Sequence, residues 1–330
     1  MRIATLAHVL VTGMLLAACG GLAPQPPPPP NSPAVVTTVP VGSAPTLLAV
    51  APNGQHVYAA SNNTLTVIDT ASNAVAATLP VNPNSTGIAV TPDGSKVYVT
   101  SLFSINMTVL DTATNTLAQP IQLFLQRLRG GFSWMALSPD GGTAYITNQA
   151  NNALAVISLP SGQGTTLMPD VRPNDVAITP DGRTLYIAGC KPICTPGFVE
   201  LYDIAGQRFG REIEVGSFPY RIALAPNGAR AYTADLSGAT VSVIDLAANA
   251  VTAKVSVPVQ PTGLAVSPDG RTIFVSSQTG GTLTVIDATT NQVRTSVPIA
   301  LARDVVVTPN GQRVYVSSER DVVVLDATKL

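Results

Sequence analysis

Charged residues are scarce in this chain: 11% of its 330 residues are Asp, Glu, Lys or Arg, against about 25% in an ordinary soluble domain. The formal net charge is -1 and no basic run occurs. A phosphate backbone therefore finds no electrostatic footprint, and nucleic acid is excluded as the expected partner. Arg127 and Arg129 form the one local patch to set against that exclusion. Histidine is almost missing, with two residues in the whole chain, and cysteine occurs three times. No Cys-x-x-Cys-His haem attachment is present and no His-rich metal cluster can be built, so no cofactor and no metal are expected. A Ser-His-Asp triad would have to use His56, for which nothing argues. Long apolar runs are also lacking. Only Ile3 to Ala18 is mostly apolar, and it falls short of the roughly 20 residues that span a bilayer.

What the chain has in abundance is repetition. A Pro-Asp-Gly or Pro-Asn-Gly turn follows a short apolar strand at Pro52, Pro92, Pro139, Pro180, Pro226, Pro268 and Pro309, with spacings of 40, 47, 41, 46, 42 and 41 residues. After each turn a strand carries one ring at a fixed place, Tyr58, Tyr98, Tyr145, Tyr186, Tyr232, Phe274 or Tyr315, read as packing between units. A third strand ends at Asp69, Asp111, Ser158, Asp203, Asp245, Asp287 or Asp326, mostly followed by Thr, Ala or Asn, which suit a tight hairpin. A fourth strand, such as Val75 to Val81, completes the unit. A period near forty with four strands per unit predicts an all-β, seven-bladed β-propeller over residues 34–330.

The two ends of the chain complement each other. The last unit stops after its third strand, and Val35-Val-Thr-Thr-Val-Pro-Val41 reads like the fourth strand Val293-Arg-Thr-Ser-Val-Pro-Ile299. The N-terminal strand is therefore expected to pair in the last blade, so that the ring has no open edge.

Lys96-Val-Tyr-Val-Thr-Ser101 and Ala144-Tyr-Ile-Thr-Asn148, each after a Pro-Asp-Gly turn and before a Thr-Val-Leu-Asp or Ala-Val-Ile-Ser strand, resemble the YVTN family of β-propeller repeats. The resemblance covers all seven units and implies the propeller fold and a bacterial or archaeal envelope or surface setting. It implies no single activity, since members of that family and of the neighbouring lactonase-like propellers differ in what they bind or do.

The first residues point to an address. Met1-Arg2 opens a short apolar stretch, and Leu16-Ala-Ala-Cys19 resembles the lipobox of a bacterial lipoprotein signal. That resemblance implies a signal peptide over residues 1–18, cleavage before Cys19 and acylation of its thiol; an ordinary secretory signal would leave Cys19 free and unexplained. Gly20 after the cysteine points, by the same analogy, to the outer membrane where there are two. Residues 19–33 then hold Pro24-Gln-Pro-Pro-Pro-Pro-Pro30, a stretch that would extend about 3.1 Å per residue as a polyproline spacer, or else serve as unstructured filler. The expected location is the extracytoplasmic side of a bacterial envelope, with the membrane as one partner through Cys19.

Cys190-Lys-Pro-Ile-Cys194 is read as a disulfide, which an envelope location permits, with half of a metal site as the competing reading. Ten of the nineteen acidic residues recur with the blade, in the Pro-Asp-Gly turns or at the end of the third strand, and are read as structural.

Where the repeat stops repeating, function is sought. Five residues before each turn proline the column reads Leu47, Gly87, Trp134, Asp175, Arg221, Gly263 and Asp304, and such scatter is read as release from packing. Propeller topology places this position at the channel mouth, on the face formed by the loops after the second and fourth strands. The candidate ligand-binding residues are Trp134, Asp175, Arg221, Asp304, Tyr220, Phe132 and Arg303. Phe103, Phe198 and Phe218 fall in or beside the same loops, and the longest spacing inserts Gln126-Arg-Leu-Arg-Gly-Gly131 there. Aromatics with arginines on exposed loops suit recognition, and equally such rings can bury themselves locally as plugs. The expected function is a monomeric recognition propeller presenting its loop face to an envelope protein or glycan. The alternative is a lactonase-like hydrolase or a quinone- or metal-dependent enzyme, with Asp175 and Asp304 as acid and base or cation ligands and Arg221 orienting an anion. Two carboxylates are few for calcium, which gathers 6 to 8 oxygens.

Overall fold

The computed structural model describes residues 34–330 apart from 126, 127, 129 and 160. Cys19, the 19–33 spacer and the arginines 127 and 129 lie outside the described residues. Seven antiparallel sheets form seven blades around a central channel. Blade 1 has strands Leu47–Val50, His56–Ala60, Thr64–Asp69 and Ala74–Pro80, from channel to rim. Blade 7 has Val305–Val307, Arg313–Ser317 and Asp321–Asp326, and its rim strand is the N-terminal Val35–Pro40, antiparallel to Asp321–Asp326. The ring closes as expected.

One blade departs from the regular unit. In blade 2 the fourth strand is split into Thr116–Leu117 and Ile121–Gln122, both paired with Asn106–Asp111. Pro120 lies between them and has no N–H to donate to the ladder. The longest repeat spacing begins here, and its apolar residues Leu123, Leu125, Leu128 and Phe132 turn inward to pack with Tyr98 and Ile146 between blades 2 and 3.

The fixed ring of the second strand is the contact between blades. Tyr58, Tyr98, Tyr145, Tyr186, Tyr232, Phe274 and Tyr315 are all buried, and each packs with residues of the next blade. Tyr315 of blade 7 sits with Leu48, Val57 and Ala59 of blade 1. Its hydroxyl also donates to Asn73 Oδ1 of blade 1 at 2.8 Å, and burial pushes that phenol up to about 12. Each buried ring removes on the order of 150–250 Å² from water, which makes this column the main apolar cement of the ring.

The turn face is stitched by side-chain oxygens. In blade 2, Asp93 accepts from the Thr91 hydroxyl at 2.5 Å and from the Ser95 N–H at 3.0 Å. The glycine that ends each turn has a positive φ, and in Gly141, φ +71°, an added Cβ would also meet Pro92 Cδ of the preceding blade at 3.2 Å. Glycine is thus needed twice over at that place. The acids that end the third strand cap the next hairpin, as when Asp69 accepts from the Ser72 N–H at 2.8 Å. Cys190 and Cys194 form a disulfide, 4.8 Å apart at Cα, in the loop after the second strand of blade 4.

Deleting residues 34–41 leaves Asp321–Asp326 without its rim partner and exposes an edge prone to pair with other chains. The truncated ring is expected to aggregate or to lose cooperative unfolding, and a melt indistinguishable from the intact protein would disprove closure by this strand. A second prediction concerns acid stability. The Thr91 hydroxyl first, then the Ser95 N–H and hydroxyl, hold the Asp93 carboxyl down from 3.8 to about 2. Its stabilising effect is present above the unfolded value near 3.8 and is lost as pH falls through about 2. Asn53 makes the same turn bond, accepting from the Gln55 N–H at 3.0 Å. Asp93→Asn is therefore expected to fold normally and to lose less stability than wild type between about pH 4 and about pH 2, as read by urea melts at each pH.

Candidate functional site

The first strand of each blade lines the channel, and the residues just before it form the mouth. Four candidates from the scattered column converge there. Arg221, on Pro219–Leu224 of blade 5, places Nη1 3.6 Å from Asp175 Oδ2 of blade 4 and Nη2 3.5 Å from Asp304 Oδ1 of blade 7. Its guanidinium lies over the Trp134 indole at 3.6 Å from the ring centroid. Tyr220 meets the same indole edge-on, with centroids 6.1 Å apart at 88°. A cation over an indole face is attracted by the ring quadrupole, most strongly where water is excluded.

The carboxylates do more than balance the arginine. Asp175 Oδ1 accepts from its neighbour Val176 N–H at 2.8 Å, and Oδ2 accepts from Ile222 N–H of the next blade at 3.0 Å. Asp304 repeats the arrangement at the closure seam: Oδ1 accepts from Val305 N–H at 3.0 Å, and Oδ2 from Leu48 N–H of blade 1 at 2.8 Å. Each aspartate therefore clips the first strand of its own blade to that of the following one. Burial pushes both carboxyls above the ordinary carboxylate range, with the Arg221 charge and the backbone N–H donors pulling the other way. Burial opposes the charge on Arg221 as well, but Asp175 and Asp304 outweigh it and raise its pKa.

The scattered column does not mark release from packing. Asp175 and Asp304 are 4% and 1% exposed. At Gly87 an added Cβ would stand 2.2 Å from Ser133 O of blade 3, and at Gly263 it would stand 2.8 Å from Asp304 Cα of blade 7. The residues vary because each fits a different close approach of the next blade, not because the position is free.

Above this charged layer lies an open cavity of about 500 Å³. Six of the seven blades line it, from Thr46 and Leu47 in blade 1 to Gln278 in blade 6, so it is the mouth of the channel. Trp134 and Tyr220 line it. Asp175, Arg221 and Asp304 lie beneath, outside the lining. Phe132 is fully buried in the cluster between blades 2 and 3, where it acts as a plug and not as part of the loop surface. Arg303 is half-buried to one side, its Nη1 donating to Ser318 O at 3.4 Å, and burial lowers its pKa, with Glu319 opposing. Phe198 packs under the Lys191 ammonium, 5.0 Å from the ring centroid.

Sequence reading missed the uncharged polar groups of the mouth, among them Gln149, Asn174, Gln260 and Gln278. A signal for two of them exists. The residue just after each second strand reads Ser61, Leu102, Gln149, Lys191, Leu236, Gln278 and Ser318, a second scattered column of which Gln149, Leu236 and Gln278 line the open mouth.

A separate acidic group lies on blade 4, where Asp170, Glu200 and Glu212 bring carboxylate oxygens within 4.8 Å of one another. Lys191 supplies its countercharge at 2.7 Å from Glu212, and Glu200 accepts from the N–H groups of Asp170 and Val171.

No family model matches the chain, and no curated protein matches it. Among solved structures it is similar to a chain of Kuenenia stuttgartiensis hydrazine synthase, with a TM-score of 0.78 at 20% identity, over 87% of this chain and 96% of that one. At that identity the likeness speaks to the propeller fold alone.

The buried triad yields a prediction with a sign. Removing Arg221 leaves Asp175 and Asp304 without a countercharge, and breaking a buried pair in this way costs about 3–5 kcal/mol. An acid whose folded pKa is raised gives its full stability below the unfolded value and loses it as pH rises through the folded value. Arg221→Ala is therefore expected to be strongly destabilised near pH 7 and to approach wild type near pH 4, where the carboxyls are protonated. A deficit that is the same at both pH values would show that the carboxylates are not its cause.

Proposed function

We propose that the chain is a lipid-anchored recognition propeller of the bacterial cell envelope, binding a partner at its mouth face. The observation that carries this reading is the contrast between the two faces. Phe103, Met168, Ile193, Val259 and Leu301 are exposed apolar side chains. All five stand on loops after second or fourth strands, one from each of blades 2 to 6, around the cavity. Among the described residues, none of the large exposed apolar side chains stands on the Pro-Asp-Gly turns of the other face; the remaining ones, Val35, Val36, Val75, Leu117, Phe124 and Val293, lie on or beside the rim strands. Apolar side chains gathered round a concave, uncharged centre are what an interaction surface offers.

The path of the first strand supports the orientation. Val35 pairs with Leu325 and Pro40 with Asp321, so the strand enters at the turn face and runs toward the mouth. A spacer leading from an acylated Cys19 would join the ring on the turn face. An extended residue 20–33 segment, roughly 40 Å long, would then hold the mouth away from the bilayer.

The carboxylates support binding over catalysis. All four oxygens of Asp175 and Asp304 are engaged by backbone N–H groups or Arg221, and both residues lie below the cavity. A general acid or base needs an oxygen within reach of substrate.

Two measurements test the reading. Cys19→Ser is expected to leave the membrane fraction, since acyl chains contribute about 0.8 kcal/mol per buried methylene; retention in the membrane would remove the anchor. Purified wild type offered simple lactones is expected to show no turnover above the protein-free rate. Turnover that disappears in Asp175→Asn would establish the enzymatic alternative instead.

A further inference from the structure

The lining of the mouth is specific enough to name a ligand class. Ten of the fourteen residues around the cavity carry an uncharged hydroxyl or amide: Thr and Ser at five places, Gln and Asn at four, and Tyr220. None carries a charge. Trp134, Tyr220 and Phe218 supply three aromatic walls. At about 500 Å³ the space lies in the range of small-molecule sites, roughly 300–1,000 Å³.

Each common ligand class meets this lining differently. Among the described residues of the lining an anion finds no cation, and the Arg221 guanidinium beneath is held between two carboxylates under the Trp134 ring. A cation finds no ligating carboxylate in the lining. A purely apolar ligand would strip water from the Ser133 hydroxyl, the Gln278 amide and the Gln149 side-chain carbonyl without replacing their hydrogen bonds, which costs free energy for each group left unsatisfied. A neutral polyhydroxylated ligand meets none of these objections. Its hydroxyls can exchange with amides and side-chain hydroxyls, while the C–H faces of its rings lie against the aromatic walls.

Several lining groups are free for that exchange. The Ser133 hydroxyl and the Gln278 amide make no hydrogen bond with other described residues, and Gln149 uses only Nε2, which donates to Asn174 Oδ1 at 2.5 Å.

Phe218 adds an independent observation. It holds a positive φ of 56°, a conformation that side chains other than glycine, Asn and Asp seldom adopt. The corresponding loops before blades 2 and 6 put Asn84 and Gln260 in this conformation, and that before blade 7 puts Leu301 there. Phe218 belongs to none of the core clusters, yet it lines the cavity. The conformation belongs to the repeat, since Leu301 outside the lining shares it, and what singles out Phe218 is its ring in the cavity wall.

We propose that the mouth cavity binds a neutral oligosaccharide, with Trp134, Tyr220 and Phe218 as ring platforms and Ser133, Gln149 and Gln278 as its hydrogen-bonding partners. This rests on the recognition reading above and gives its partner a chemistry. The glycan would reach the cavity from the side away from the turn face, past the exposed apolar rim.

The chain carries its own probe. Trp134 is the only tryptophan, so any ligand-dependent change in indole emission comes from this cavity. The full-length protein is titrated with neutral trisaccharides, maltotriose, cellotriose and triacetylchitotriose, and with an acidic counterpart, trigalacturonate. At least one neutral sugar is expected to change the emission saturably below about 10 mM, and the acidic one to bind at least about tenfold more weakly. Phe218→Asn removes the ring while placing in the strained conformation a residue that tolerates it, as at Asn84. That variant is expected to melt no lower than wild type and to bind the sugar at least about tenfold more weakly, with Gln278→Ala weakening it several-fold.

Three results would overturn the proposal: no saturable change with any neutral sugar, equal binding of the acidic one, or unaltered sugar affinity in Phe218→Asn. A parallel capture from native envelope separates this failure from that of the recognition reading. If no sugar binds but wild type still captures a protein that a Phe103→Ser, Ile193→Ser variant does not, recognition stands and the glycan falls. If neither sugar nor protein is held, both fall.

Discussion

The structure depends on one pairing, that of Val35–Pro40 with Asp321–Asp326. Every other blade is assembled from neighbouring stretches of chain, whereas this one joins the two ends. Without it blade 7 would present an unpaired rim, and the contact of Tyr315 with blade 1 would be the main tie across the seam. The channel side of the same seam is held by Asp304, whose carboxylate reaches the backbone of Leu48. A buried charge at that place needs a countercharge. Arg221, two blades away, supplies it, and shares itself with Asp175, which clips blades 4 and 5 in the same manner. The floor of the mouth is thus a consequence of closure: the carboxylates hold backbone, the guanidinium holds the carboxylates, and the indole of Trp134 covers the guanidinium.

That hierarchy explains why the fold was legible and the site only partly so. Turns, strand lengths and the inter-blade rings obey one local rule repeated seven times, and a local rule leaves a period in the sequence. The terminal strand was recognisable because it is a displaced copy of the fourth strand. The column holding Asp175, Arg221 and Asp304 gave the right neighbourhood, since those residues do meet at the channel. It misled about their state. Scatter in a repeat has two physical sources, exposure and individual fit, and sequence does not distinguish them. Gly87 and Gly263 vary to admit backbone, and Asp175 and Asp304 vary to receive it. Phe132 likewise reads as a loop aromatic and is a plug, because the insertion that carries it folds its apolar residues inward. The polar rim, with Gln149 and Gln278, stayed hidden because Gln and Ser in loops look like solvation.

Charge scarcity takes on a second meaning beside the cavity. A surface built from hydroxyls and amides is weakly selective by Coulomb forces and depends on hydrogen-bond geometry instead. The few strong charges that do face the channel are turned on one another and sealed below the indole. What faces the open mouth is therefore chemically mild, and its selectivity would come from the placement of many weak groups by a rigid ring.

The strand that closes the ring is also the first blade strand to be synthesised, and its partner is the last. Between those two events the nascent chain carries Val35–Pro40 as a lone strand with a long wait ahead of it, while blades 1 to 6 can each form from contiguous sequence. Six units built with one edge unsatisfied at each end is the arrangement that invites pairing with a neighbour. The low charge of the molecule does little to keep neighbours apart at that stage. Cooperative stability of the finished ring and vulnerability of the unfinished one have the same origin, a fold in which the final bond is made between the two most distant parts of the sequence.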